Sequence, residues 1–282
     1  MASKNSWRHR RPFTWLKAPA ASEDGSMALA DHLRELRYRV IISVMAIVAF
    51  SIATGFFYDL LYQILLWPFL RAQEILALNF PQINTTPVIS GVTAPFTLAV
   101  KTCVVAGLIV SSPIWLFQVW RFIAPALLSR ERKYAAVFLG IGIPLFLAGV
   151  AAGYYILPQG IWVMISFTPS SIPVTNLLEL NAFLSLTLQL MLIFGIGFLI
   201  PLVVVGMNFL GVVSAKTLAK TRPYVIFGIF VFGAVATPST DPFSMLALSL
   251  PMGVLYVLAE VIAHIHDRRQ RRAQKEQRND SR

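Results

Sequence analysis

Residues 111–133 read SSPIWLFQVWRFIAPALLSRERK, and this stretch decides the fold. It starts inside an apolar run at the Ser112-Pro113 break, carries Gln118, Trp120, Phe122 and Pro125 in quick succession, and ends in the charge knot Arg130-Glu131-Arg132-Lys133. An apolar body, an aromatic belt and a basic flank in that order mark a helix leaving a bilayer. Glu131 is one acid among bases at the point where such a span meets water. Two readings stand side by side. Glu131 can neutralise Arg130 or Lys133 on a solvated face. It can also receive an incoming cation, and the fork of an arginine fits a carboxylate best.

Composition extends the membrane reading to the whole chain. The 282 residues are 56% hydrophobic and only 13% charged, about half the charged share of an average soluble domain. The net charge of +11 does not point to nucleic acid, because the bases sit between apolar runs and not on a folded domain. The single cysteine, Cys103, forbids an intrachain disulfide.

Residues 1–26 are polar and basic and read as a disordered tail, with Met27 an alternative start. Next, Leu29, Leu33, Leu36 and Val40 recur at helical spacing, with Asp31, Arg34, Glu35 and Arg39 opposite. This pattern predicts a short amphipathic helix lying on the membrane and feeding the first span, as an anchor or as a binding element. Hydrophobic runs then predict six spans, at about 40–57, 96–120, 134–157, 182–210, 223–237 and 242–262. Residues 58–95, with Trp67-Pro68, Pro81, Pro87 and Pro95, read as a long loop, and 158–179 as a second. The fold class is therefore an all-α, six-span membrane domain over 27–265, followed by a basic tail over 266–282. Spans 5 and 6 are short: the 15 residues 223–237 make roughly 22 Å of helix against a hydrocarbon core of roughly 30 Å. Thinning of the bilayer beside them is the expectation.

Of the 24 bases, 22 lie in the N-terminal region, the 121–133 and 216–222 loops and the C-terminal tail, leaving Arg71 and Lys101 toward the other side. Basic loops stay inside, so both termini are expected in the cytoplasm.

Metal, nucleotide and nucleophile motifs are missing from the sequence: it has no HExxH, Walker loop, GxSxG or Cys/His cluster. No cofactor, metal or enzyme activity is expected. A small-solute transporter or channel is the alternative from another class, but it should carry midplane charges or paired broken helices. What remains is a scaffold whose cytoplasmic face is a binding surface.

Four segments carry a family resemblance: HLRELRYRV at 32–40, PIWLFQVWRFIAPALLSRERK at 113–133, KTRPYV at 220–225 and the TP…D turn at 237–241. They resemble the TatC subunit of the twin-arginine protein translocase, in the family's order and spacing, over about 30–265. The resemblance implies a receptor for the twin-arginine signal peptides of folded cargo. It implies single-span partners TatA and TatB, an oligomeric complex in the bacterial cytoplasmic (inner) membrane, and transport driven by the proton-motive force. By motif position it implies that Glu131 accepts the signal arginines, with Phe122, Glu35, Arg37 and Gln118 in the same site. Trp120, Pro125 and Arg132 would shape that site, while Pro68, Thr237 and Asp241 match family positions of structural or partner-docking kind. Two departures stand out. Leu199 occupies a position that is acidic or an amide in many relatives, and the start of span 6 reads Phe243-Ser244-Met245 where a polar residue is common. These leave the docking of TatA-like helices to packing and hydroxyls.

A reporter fused to either terminus is expected to be active only in the form that matures in the cytoplasm. Outward placement of either end would contradict the charge argument.

Overall fold

A backbone amide in hydrocarbon has no solvent partner, so long apolar runs become helices that satisfy themselves. The computed structural model describes residues 29–79, 84–123, 131–168, 175–209, 211, 213–236 and 242–280. Among them, the helices are α1 (Leu29–Gly55), α2 (Tyr58–Asn79), α3 (Ala94–Val110), α4 (Ser112–Ile123), α5 (Glu131–Ser166), α6 (Leu180–Phe209), α7 (Ala215–Ala236) and α8 (Pro242–Asp280). The described part is thus almost entirely helical. The exception is a parallel ribbon of β1 (Asn84–Val88) and β2 (Thr175–Glu179), in register from Asn84 opposite Thr175 to Val88 opposite Glu179. It ties the segment before α3 to the start of α6.

Five described helices are long and apolar enough to cross a membrane, and a sixth crossing results if α3 and α4, bent by 60°, count together. The expected second span is therefore a broken one. Its break lies at Ser111, where the Leu108 carbonyl accepts from the Trp115 indole N–H at 2.9 Å.

Residues 58–79 are not loop. They form α2, with Asp59 in its first turn, where a carboxylate suits the helix dipole. Pro68 sits inside this helix and does not break it. Proline lacks the N–H that would bond four residues back, so the Ile64 carbonyl is freed. The Tyr154 hydroxyl of α5 donates to that carbonyl at 2.6 Å. Trp67 stacks on the Tyr154 ring, with centroids 5.6 Å apart. The other expected loop is likewise helical at first: α5 runs through Pro158 to Ser166 before β2 begins. Pro95, read as a breaker, instead stands in the first turn of α3, where its missing N–H costs nothing.

Three further boundaries differ from the hydropathy reading. α1 is continuous from Leu29 into the span, so no separate surface helix feeds it. α7 begins eight residues before Pro223, at Ala215, and its 22 residues make roughly 33 Å of helix against a hydrocarbon core of roughly 30 Å. α8 extends to Asp280. The helices of the last hairpin are therefore not short; only the charge-free part of α7, from Pro223 onward, is. Helix length gives no support to thinning beside them.

The core is built around α6, which packs most extensively on α5 and α8. Phe146, Leu184, Leu190, Phe194, Leu248, Met252 and Tyr256 are fully buried there. Without a hydrophobic driving force between helices in lipid, small residues that let backbones approach do this work. A Cβ on Gly149 of α5 would lie 2.5 Å from the Phe194 carbonyl oxygen of α6. Between α3 and α1, a Cβ on Gly107 would meet the Ser51 backbone nitrogen at 2.5 Å. By contrast α1 presents Val44, Met45, Val48 and Ile52 outward, as a lipid-facing helix does.

Replacing Tyr154 with Phe keeps the ring stack but removes the donor to the carbonyl that Pro68 frees. The expected loss is about 1 kcal/mol, seen as a lower thermal midpoint of the purified protein. A Pro68→Ala background, which restores the backbone donor, should abolish most of that loss.

Candidate functional site

The 60° bend at Ser111 lays α4 along α1 and brings two helical faces together. Positions 32, 35 and 39 are three and four apart on α1, so they share a face; 118 and 122 do the same on α4. Glu35 and Arg39 are 6% and 7% exposed. Arg39 directs both its Nε, at 3.1 Å, and its Nη2 to Oε1 of Glu35. Its Nη1 donates to Oε1 of Gln118 at 3.3 Å, joining the two helices. One turn before Glu35, His32 stacks on Phe122, with centroids 4.6 Å apart and planes 17° from parallel. Arg121 lies 5.7 Å from the centroid of the Phe117 ring, within cation–π range.

Leu33 and Val40, of the predicted apolar stripe, are exposed, as is Arg34, whereas Glu35 and Arg39 of the polar side are buried and do not face water. The reason is the solvent: apolar side chains gain nothing by leaving lipid, whereas a charged pair gains by being shielded from it. A buried pair is sustained only when its remaining donors and acceptors find partners. Gln118 supplies one for Arg39. Glu35 Oε2, in contrast, is buried and accepts no hydrogen bond among the described residues.

Of the residues read as a site, Glu35, Gln118 and Phe122 thus meet in one seam. Arg37 is exposed and takes no part in its contacts. Trp120 packs inward instead, stacked on Phe138 of α5 at 4.1 Å. Pro68 is in α2, outside this seam. Pro125, Thr237 and Asp241 lie outside the described residues, as do the side chains of Glu131 and Arg132, whose backbone opens α5. Leu199 is buried in an apolar cluster with Leu116, Trp120, Phe138 and Phe146. Of those neighbours only Trp120 carries a side-chain donor, its indole N–H.

A second polar cluster was not legible as a unit in the sequence. Glu260 of α8 is 3% exposed and receives two bonds from Arg222 of α7, at 2.8 Å from Nε and 2.5 Å from Nη2. Further along α8, Asp267 accepts from the Ala215 backbone N–H at 2.9 Å and from Asn208 Nδ2 at 3.2 Å. A carboxylate thus caps α7 from another helix, with Ser214 accepting from the Thr217 N–H at 3.3 Å beside it. Arg222 stood inside the KTRPYV segment, but its partner is 38 residues away, and no spacing rule reaches that far.

The family model that matches this chain is described as Sec-independent protein translocase protein (TatC), and it covers residues 31–251. The chain belongs to the TatC family. A TatC protein of Frankia casuarinae is 38% identical over 250 residues, covering 88% of this chain and 68% of that protein. One from Xylanimonas cellulosilytica is 32% identical over 255 residues, covering 89% of this chain and 88% of the relative. The fold matches a crystal structure titled as the twin arginine translocase receptor TatC in DDM, with a TM-score of 0.69 and 30% identity over 82% of this chain and 99% of the other. The seam formed by α1 and α4 lies within the span that the TatC family model matches, and so does Leu199.

Arg222→Gln leaves the Glu260 carboxylate buried without its donors and is expected to lower the thermal midpoint clearly. Adding Glu260→Gln, which removes the orphaned charge, should recover part of the loss; equal midpoints for the single and double variants would contradict the pairing.

Proposed function

We propose that this chain is the receptor and core subunit of a twin-arginine translocase, recognising the signal peptides of folded cargo at the cytoplasmic rim of the seam between α1 and α4. The observation that carries the residue-level reading is Glu35. It is a buried carboxylate with one oxygen already paired and the other without a donor, beside an aromatic stack. A guanidinium is the cation suited to such a place. It is weakly hydrated, planar enough to lie on Phe122, and rich in directional donors.

Glu131, where the helix after this seam begins, supplies the second acid in this reading. Two acids for two arginines give each guanidinium a charge-assisted bond worth about 1.5–3 kcal/mol. Phe122 and Gln118 complete the site, and Arg37 on the exposed side of α1 contacts the peptide outside the arginine pair. Trp120, Pro125 and Arg132 hold the rim in shape. TatA and TatB dock from the lipid on the apolar faces of the bundle, where Leu199 offers no polar handle. Thr237, Asp241 and Pro68 serve that assembly and the opposite face. The subunit works as part of an oligomer in the bacterial inner membrane, with the proton-motive force as energy source and no cofactor of its own.

Binding of a synthetic signal peptide to the purified full chain in lipid nanodiscs tests the reading. Glu131→Ala is expected to weaken an Arg-Arg peptide about tenfold or more, with a smaller effect on a peptide carrying Lys-Lys. Equal capture of both peptides by the unmodified chain would remove arginine recognition from the account.

A further inference from the structure

Arg39 is an unexpected occupant of the seam. The chain places its own guanidinium on the carboxylate that the proposed function gives to an incoming one. Both of the Arg39 donors that reach Glu35 fall on the same oxygen, Oε1. The third donor direction, Nη1, is committed to Gln118. The consequence is an asymmetric carboxylate, saturated at Oε1 and bare at Oε2.

We propose that Arg39 is a positioning residue for arginine recognition, fixing Glu35 so that Oε2 alone faces an incoming cation from a buried position. This rests on the reading of Glu35 as part of the signal-peptide site. Its physical content is selectivity. An acceptor that stays buried obliges the incoming cation to shed water before bonding. An ammonium is a compact, strongly hydrated charge and loses more by doing so than a guanidinium. A carboxylate free to swing into water makes no such demand and takes either cation with the modest energy of an exposed pair. Arg39 keeps Glu35 in the first condition. It compensates most of the buried charge, so the side chain has no reason to leave the seam, and the link to Gln118 pins Arg39 in turn.

The arrangement also limits stoichiometry at this residue. With Oε1 occupied, an incoming guanidinium meets Glu35 through Oε2 alone and not through a clamp across both oxygens.

Arg39→Gln removes the compensating charge. Arg39→Lys keeps the charge but gives up the fork that reaches Glu35 and Gln118 together. Each variant, as full-length protein in lipid nanodiscs, is titrated with an Arg-Arg and a Lys-Lys signal peptide, and the ratio of the two affinities is the readout. Glu35→Gln is titrated alongside. The unmodified chain is expected to favour Arg-Arg about tenfold or more, and Arg39→Gln to reduce that ratio to about twofold, with Arg39→Lys between them. A fold defect alone would weaken both peptides equally and leave the ratio unchanged, so an unchanged ratio in both variants overturns the proposal. An unchanged Arg-Arg affinity in Glu35→Gln would instead remove Glu35 from the binding site, and Arg39's role with it.

Discussion

A carboxylate buried between two helices has to be neutralised, and the neutralisation of Glu35 by Arg39 organises this end of the molecule. The pair itself lies within one helix, four residues apart; its burial does not. That burial requires α4 to turn by 60° so that Gln118 and Phe122 meet Arg39 and His32 of α1. The turn is possible because the Trp115 indole takes up the Leu108 carbonyl at the break. Below the seam, Trp120 on Phe138 locks α4 to α5. A polar contact, a backbone repair and an aromatic stack thus fix one edge of the bundle together.

The rest of the bundle follows the same rule, that hydrocarbon leaves no polar group without an internal partner. Pro68 shows it most clearly. Read as punctuation, proline ends a helix; inside lipid, a hydroxyl from a neighbouring helix makes it tolerable, and Tyr154 provides that hydroxyl. At the other edge, Arg222 and Asp267 show how charged groups are distributed. The two bonds from Arg222 to Glu260 and the Asp267 cap on α7 fasten α7 to α8. Both clusters lie among the segments rich in bases, whereas the ribbon of β1 and β2 ties together the opposite end.

Much of this was legible in the residues. Runs of apolar sequence pointed to an almost entirely helical chain, which has five to six candidate crossings among its described residues, and the stretch around 111–133 carried the break, the aromatic residues and the acid. The TatC resemblance drawn from four short segments agrees with the family model over residues 31–251. What escaped was set by partners distant in sequence. The 58–79 helix was hidden because Pro68 is repaired by a residue 90 positions from the carbonyl it frees. The polar side of α1 was expected to face water, and the burial of Glu35 and Arg39 depends on α4, whose Gln118 comes 79 positions after Arg39. Arg39 was visible as one more base on a polar face; only the approach of α4 makes it the partner of Gln118.

The central claim is that a signal peptide's arginine pair is held where α1 and α4 meet. A photoreactive residue placed at position 118 or 122, with controls at 62 and 89 toward the other end of the bundle, tests it directly in the assembled membrane. The account predicts that an Arg-Arg peptide crosslinks at 118 or 122 and not at the control positions, and that a Lys-Lys peptide loses the signal. Crosslinks at the control positions with none at 118 or 122 would contradict it.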